Sequence, residues 1–424
     1  MSSPVATQFP LSARAQRTTD SPISWLMKLA VEDPAILSLA AGFVDTKTLP
    51  DDLTKAAVNR LFGKSEEAKN SLQYGLTAGL KELRLALAAR LEKQGIPDVD
   101  PNCIVISNGG QQGLYTITEV LCDVDDVVLV EDPTYFVYMD VLKSAGTQTL
   151  GVNTDEEGII PAALEERFEE LHRNGQRDRL RILYVMSYYA NPKGSNMSTE
   201  RRRQIYDLYQ RELQRGTPFV LIEDASYRDL CLEGKDEPFL KSFDKDNEFV
   251  FTTGTFSKAY APGFRLGWSY MPPDLHKAMC RQKGNQDFGS SNMNQTILAD
   301  LLRSGDYDKA AERFRDRYRA KRDALLAAMK EYWPSDVELV YPYGGLYVWV
   351  RLPGINTDPQ SEFFNACLEQ KVIYVPGYYC FCDNTQDPKP LDTMRICYGV
   401  IDIEPMREAV RRMGAVIERF RKKQ

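Results

Sequence analysis

The stretch Thr253-Gly-Thr-Phe-Ser-Lys-Ala-Tyr-Ala-Pro-Gly-Phe-Arg-Leu-Gly-Trp268 follows an apolar run at 249–252 and brings Thr255, Ser257, Lys258 and Arg265 close together in the chain. Hydroxyls beside a guanidinium suit a phosphate, because arginine binds phosphate through two parallel N–H groups. A lysine among them can condense with the aldehyde of a cofactor. A Ser-Lys pair on a loop is by itself usually just solvated. Its partners along the chain are what give this one weight.

Glu223-Asp-Ala-Ser-Tyr227 closes another apolar run, 258 − 224 = 34 positions before the lysine. A carboxylate there serves as a helix cap or as the partner of a protonated pyridine nitrogen. Asn191-Pro-Lys-Gly194 closes a third run, and Gly109-Gly-Gln-Gln-Gly113 opens a helix after a fourth. A glycine-rich helix start offers free N–H groups to an anion. Each motif is compatible with an ordinary turn, but four of them, each after a strand-like run, point to one site.

The runs at 104–107, 127–130, 182–186, 219–223 and 249–253 are short and rich in Val, Ile, Leu and Phe. Helical patterns lie between several of them, such as Leu114, Ile117, Val120 and Leu121 on one face. Continuous apolar strands alternating with helices predict an α/β protein with a mostly parallel sheet covered on both faces. Ligands of such sheets bind beyond the carboxyl ends of the strands, where all four motifs begin. A charged helix over 307–332, the runs 346–351 and 394–398, and a last helix near 404–421 predict a smaller α+β domain. The expected organisation is an N-terminal arm (1–35), a large domain (50–305), and a small domain built from 36–49 and 306–424.

A chain of 424 residues with 43% hydrophobic and 27% charged residues is long enough for two domains sharing an interface. The net charge of −7 leaves no footprint for nucleic acid or for a membrane surface. No segment approaches the ~20 apolar residues of a membrane span. The eight cysteines are scattered and only two histidines exist, so no metal site is expected; reduced thiols in a cytoplasm are. Residues 1–19 carry Arg14, Arg17 and no acid, a composition that leaves a transit segment open as a lesser reading. Scarce histidine also moves acid–base chemistry onto a lysine or a cofactor.

Taken together with Glu131-Asp-Pro-Thr-Tyr135 and Gly344-Gly-Leu-Tyr-Val-Trp349, these motifs resemble the class I/II aminotransferase family of fold-type I pyridoxal 5′-phosphate (PLP) enzymes. The nearest resemblance is to the subgroup of 2-aminoadipate, kynurenine and aromatic aminotransferases, over about residues 20–420. The resemblance implies PLP held by Lys258, which also shuttles the proton. Asp224 would hold the pyridinium proton and Tyr135 would stack on the ring. Tyr227 and Asn191 would bond its 3′-oxygen, and Gly110, Gln111, Thr255, Ser257 and Arg265 would bind the phosphate. Tyr74, in Gln73-Tyr-Gly-Leu-Thr-Ala-Gly79, would reach the phosphate of a neighbouring subunit, implying a homodimer with shared sites. Arg395 would take the substrate α-carboxylate, with Gly42 and Asn191 beside it.

The implied reaction moves an amino group from an L-amino acid to a 2-oxo acid by a ping-pong route. The alternative is a PLP-dependent lyase, decarboxylase or amino-acid oxidase on the same scaffold. Ala190 and Lys193 stand where the family commonly has Gln and Thr, and Ala41 and Val44 where it has Gly and Pro. These departures lie near the expected side-chain pocket. Tyr188, Tyr189, Phe43 and Trp25 are expected to line that pocket, favouring a large aromatic or long side chain over a short dicarboxylate. A regulator carrying a DNA-binding module is a remote alternative, since such a module needs ~60–80 residues ahead of the strands.

Overall fold

The computed structural model describes residues 9–383 and 389–422. The first eight residues of the arm, and 384–388 and 423–424 of the expected small domain, lie outside them. An eight-stranded sheet runs in the order Ile104–Ser107, Gly267–Tyr270, Val250–Thr255, Val220–Asp224, Leu180–Val185, Val127–Asp132, Gln148–Asp155, Gly158–Ile159. The pairings from Val250–Thr255 through Gln148–Asp155 are parallel; Gly267–Tyr270 is antiparallel to both its neighbours, and Gly158–Ile159 to Gln148–Asp155.

The expected parallel sheet is therefore present, and its side chains explain it. Val128, Val130, Ile182, Tyr184, Ile222 and Phe251 join the larger buried cluster, while Val127, Leu129, Leu183, Val185, Leu221 and Val250 join a second one. Alternate residues of each strand thus enter opposite apolar layers, which is why the runs read as continuously hydrophobic. Helices Gly110–Leu121 and Phe136–Ala145 contribute to the first layer, Pro161–Arg173 and Thr199–Leu213 to the second. Each fully buried large apolar side chain contributes roughly 1.5–3 kcal/mol. The Gln148–Asp155 strand escaped sequence reading because it lies toward the sheet edge and is only partly buried, so its polar residues mask the pattern.

A second sheet is antiparallel, in the order Glu338–Leu339, Tyr347–Arg351, Thr393–Cys397, Val375–Pro376. Leu37–Ser38 pairs in parallel with Val372–Ile373, so the 36–49 stretch lies against C-terminal residues. The helix Asp306–Tyr332 and the last helix Ile403–Arg421 pack against each other. The N-terminal arm is docked: Arg14 pairs with Glu119, and Arg17 Nε donates to the Ser144 carbonyl at 3.3 Å. No helix among the described residues is long and apolar enough to cross a membrane.

One charged cluster holds the strand ends. Glu223 is fully buried, and its carboxylate accepts from Ser187 Oγ (2.7 Å), the Leu240 and Lys241 amides (2.8 and 3.1 Å), Thr252 Oγ1 (3.2 Å) and Arg202 (3.3 Å). Arg202, also buried, donates to the Met197 and Ser187 carbonyls as well and lies 4.1 Å from the Tyr188 ring centre. Removing one member of such a pair strands the other charge without solvent. Arg202→Met is expected to lower unfolding free energy by about 3–5 kcal/mol, measured by urea denaturation, whereas Arg211→Met, on an exposed pair, should change it by less than about 1 kcal/mol.

Candidate active site

At the carboxyl ends of the central strands a cleft of about 320 Å³ is lined by residues from every motif: Gly110 and Gln111, Tyr135, Asn191, Asp224 and Tyr227, Thr255, Ser257, Lys258 and Arg265, and Arg395 with Gly42. Residues spread over more than 350 positions of chain meet there because each follows a strand or a helix start. Of the residues that the resemblance assigns to cofactor or substrate, Tyr74 alone stays outside. It is 84% exposed, with its ring 5.8 Å from that of Phe288.

Asp224 ends its strand almost wholly buried. Its Oδ2 accepts from Tyr184 Oη at 2.8 Å and its Oδ1 from the Ser226 amide at 2.9 Å. Burial raises its carboxyl, and those hydrogen bonds oppose the shift. A cation facing this carboxylate would therefore be strongly favoured. Lys258 Nζ donates to the Gly42 carbonyl at 3.0 Å. Burial pushes its ammonium down to about 8; Cys397 opposes this, and Arg395 and Arg265 lower it further. About a tenth of this amine is thus unprotonated at pH 7, far more than for a free lysine, and the neutral form is the one a nucleophile or base needs.

The glycine-rich turn has a steric reason. Gly109 has φ +79°, and a Cβ there would stand 3.2 Å from the Arg265 guanidinium. Arg265 itself is left-handed, with φ +51°. Backbone and guanidinium thus approach each other with the start of helix Gly110–Leu121 between Ser226 and Thr255. Thr255 Oγ1 accepts from the Ser257 amide at 3.1 Å, fixing the loop that carries Lys258.

At the other end Arg395, buried on the Thr393–Cys397 strand, donates from Nη1 to Asn191 Oδ1 and from Nη2 to the Ala40 carbonyl, both at 2.8 Å. Its Nε is buried without a partner, as is Gln111 Oε1. The Tyr347 and Phe136 rings lie 4.2 and 5.5 Å from its guanidinium carbon. Tyr347 Oη is 3.0 Å from Tyr227 Oη. Tyr347 was passed over in the sequence although Gly344-Gly-Leu-Tyr-Val-Trp349 contains it. Its pairing with Cys397, two places from Arg395 on the adjacent strand, is the signal that sheet register supplies. Tyr184, Ser226 and Met186 were passed over too.

Three of the four expected pocket residues, and Lys193 beside them in the sequence reading, are elsewhere. Tyr188 is buried, donates to the Glu237 carbonyl at 2.8 Å and packs edge-on to Phe239. Tyr189 is buried against Gly344 and Gly345. Trp25 stacks on Phe364 at 5.5 Å. Lys193 turns its amine to the Thr154 and Asp155 carbonyls, at 3.1 and 2.8 Å. Satisfied polar atoms and close packing hold all four away from the cleft, and Ala190 is likewise buried outside its lining. Phe43 does line the cleft, half exposed at its rim, with Ile23 and Met27 from helix Pro22–Glu32. Gln112, the second glutamine of the glycine-rich motif, bonds Asn108 and Asp287 instead of facing the cleft.

The aminotransferase class I and II family matches residues 34–413 of this chain. The chain belongs to that family. It is 32% identical to aromatic-amino-acid aminotransferase 1 of Thermococcus litoralis, over 97% of this chain and 95% of the relative. Among solved structures it superposes on a multiple substrate aminotransferase from Thermococcus profundus with a TM-score of 0.88 at 32% identity, covering 98% of each chain. It likewise matches the α-aminoadipate aminotransferase of Thermus thermophilus, solved with N-(5′-phosphopyridoxyl)-L-leucine, with a TM-score of 0.84 at 28% identity over 98% of each chain. The protein is a PLP-dependent aminotransferase of fold type I; the lyase, decarboxylase or oxidase alternative is not favoured. The cleft fits the cofactor: a buried carboxylate without a cation, a lysine whose ammonium is lowered to about 8, a glycine turn under a guanidinium, and an arginine with an unused N–H.

The depressed Lys258 ammonium has a consequence for the cofactor-free protein. With its value lowered from 10.5 to about 8, the folded state binds less proton than the unfolded chain between those limits. Below about 8 both forms are charged and burial costs its full amount; as pH rises toward 10.5 the cost disappears. Lys258→Met should therefore stabilise the cofactor-free protein at pH 7 by on the order of 2–3 kcal/mol. Denaturation of both proteins across pH 7–10.5 should show that difference shrinking toward zero. A difference constant with pH would mean the amine is solvated.

Proposed function

We propose that Lys258 is the residue that links to PLP and carries the transferred proton, that Asp224 faces its ring nitrogen, and that Arg395 receives the substrate carboxylate. The observation that carries this is the meeting of all three in one cleft, with Lys258 between the two ends. When bound, PLP supplies an aldehyde carbon for amines and a protonated ring that accepts charge from a substrate Cα. Arg395, steadied by Asn191 and Ala40, fixes the carboxylate and thereby decides which Cα bond lies over the ring. Lys258 Nζ would take the proton from Cα, hold it, and return it to the cofactor's aldehyde carbon across the intervening nitrogen. Asp224 keeps its charge toward the ring nitrogen while Tyr184 and Ser226 hold it in line.

Gly110, Gln111, Thr255, Ser257 and Arg265 form the phosphate cradle in this reading; Tyr135 covers the ring, and Tyr227 with Asn191 addresses its 3′-oxygen. Reduction with borohydride should leave the cofactor mass on the peptide containing Lys258, and Lys258→Ala should abolish turnover. Asp224→Ala should lose at least about 100-fold in kcat, the scale of a charge-assisted bond of ~1.5–3 kcal/mol plus lost ring protonation. Initial rates against amino acid at several 2-oxo acid concentrations should give parallel reciprocal lines. A label on another lysine, or near-normal turnover of the Asp224 variant, overturns the assignment.

We also infer a preference for large apolar, aromatic or long side chains. Its support is the apolar rim of Ile23, Met27, Phe43, Val137 and Met186, with Lys193 held elsewhere, and the names of the relatives. An unpaired carboxylate on that surface is costly. Phenylalanine and leucine should exceed aspartate in kcat/KM by about tenfold or more, the effect of ~1.4 kcal/mol; a preference for aspartate refutes the reading.

The exposed Tyr74, beside exposed Leu72, Leu76 and Phe288, supports a homodimer in which it completes the partner's phosphate site, in a reducing cytoplasm that suits eight free cysteines. Mixed and reassociated Tyr74→Ala and Lys258→Ala chains form hybrids with one intact site. Activity should recover to about one quarter of wild type, and no recovery above the separate chains would disprove sharing.

A further inference from the structure

Behind the glycine turn lies a polar cluster that touches neither substrate nor the cleft. Asp287 ends helix Pro273–Asp287 and collects four hydrogen bonds. Lys283 Nζ donates to both its oxygens, at 2.7 and 2.8 Å, and Oδ2 also accepts from Asn108 Nδ2 at 2.7 Å and Gln112 Nε2 at 2.8 Å. Gln112 in turn uses its Oε1 to accept from the Asn108 amide at 2.7 Å. We propose that Asp287 is a positioning residue for the cofactor phosphate: it sets the Asn108–Gly109–Gly110 turn through Asn108 and Gln112. The proposal rests on assigning Gly110 and Gln111 to the phosphate.

The turn needs such a brace. Gly109 and Gly110 have no side chain to hold them, and glycine is the residue with most freedom to lose. Gln112 occupies the third position of helix Gly110–Leu121 and reaches back to the amide of Asn108 ahead of it, in the manner of a capping box. That grip fixes the turn to its own helix. Asp287 fixes it to a second helix from outside.

Asp287 is itself held. The following residue, Phe288, has φ +61°, and its carbonyl accepts from Thr77 Oγ1 at 2.7 Å. The Asp287 carbonyl accepts from the Gly289 amide at 2.7 Å. The chain reverses there and cannot easily shift the carboxylate.

The charges are arranged for an anion site. A lone carboxylate behind a phosphate turn repels the ligand. Lys283, fully buried, cancels it at contact distance. Asp287 can therefore serve as a strong acceptor for two amides without adding net negative charge to the turn. The two amides leave the helix-start N–H groups pointing at the cleft unencumbered.

The test compares Asp287→Asn and Gln112→Met holoenzymes with wild type. The second variant removes both Gln112 bonds, to Asp287 and to the Asn108 amide, and keeps the Asn108–Asp287 bond and the Lys283–Asp287 pair, so it reports even if the first fails to fold. The readouts are the PLP dissociation constant, the ³¹P chemical shift of bound PLP, and kcat and KM at saturating PLP. Both variants should bind PLP about tenfold or more weakly, as expected for losing hydrogen bonds to a charged group. Both should shift the phosphorus resonance, while kcat and the amino-acid KM at saturating PLP stay within about threefold. Affinity within twofold of wild type and an unmoved resonance in Gln112→Met would overturn the proposal. A loss of kcat without loss of PLP affinity would do so equally. If borohydride labelling had already failed at Lys258, the site reading fails first; an intact label with unchanged affinity condemns Asp287 alone.

Discussion

Glu223 is a charge in the middle of an apolar sheet, and the rest of the site depends on its being satisfied. Its carboxylate receives Ser187 after one strand, Thr252 on the next, two amides of the 240–243 turn, and Arg202 from helix Thr199–Leu213. Buried unpaired, it would cost several kcal/mol; fully bonded, it pins three strand ends at one level. The neighbour in sequence is Asp224, which by strand alternation faces the cleft. A displacement of Glu223 is a displacement of Asp224.

Within the cleft the electrostatics divide labour among three cations. Arg265 lies against the glycine turn and Arg395 beside Asn191 and Ala40. Lys258 feels burial first and both guanidiniums after, which lower its ammonium to about 8. An arginine at 258 could bind an anion but not act as a base. The two guanidiniums thus lower the Lys258 ammonium while offering N–H groups that suit anions, so two effects follow from one arrangement.

The motifs were readable because strand-end chemistry demands particular residue types: a carboxylate, a lysine, glycines, an arginine. The parallel sheet was readable because strands buried on both faces cannot alternate. What misled was proximity in sequence. Tyr188 and Tyr189 adjoin Asn191, yet Tyr189 has φ +46°, so the chain turns sharply and strand periodicity no longer tells which side a ring takes. Their hydroxyls and rings found Glu237, Phe239 and the Gly344–Gly345 turn. Lys193 found three acceptors on the Gln148–Asp155 strand, itself unread in the sequence. Tyr347 was missed for the converse reason: its contact with Arg395 comes from a register between strands some fifty residues apart, which no local pattern encodes.

The departures at Ala41 and Val44 find their explanation in the backbone. From Leu39 the chain runs between the two sheets: the Leu39 amide donates to Ile373 and its carbonyl accepts from Cys397. The next carbonyl, of Ala40, accepts from Arg395, and that of Gly42 accepts from Lys258. One short segment thus presents an acceptor to both Arg395 and Lys258. Main-chain carbonyls are supplied by any residue, and Ala41 and Val44 bury their side chains away from them. Gly42 is different, because a Cβ there would come within 2.4 Å of Tyr347 Oη. The segment therefore tolerates change on both sides of the glycine and not at it, since what it contributes to the site is the path of its backbone.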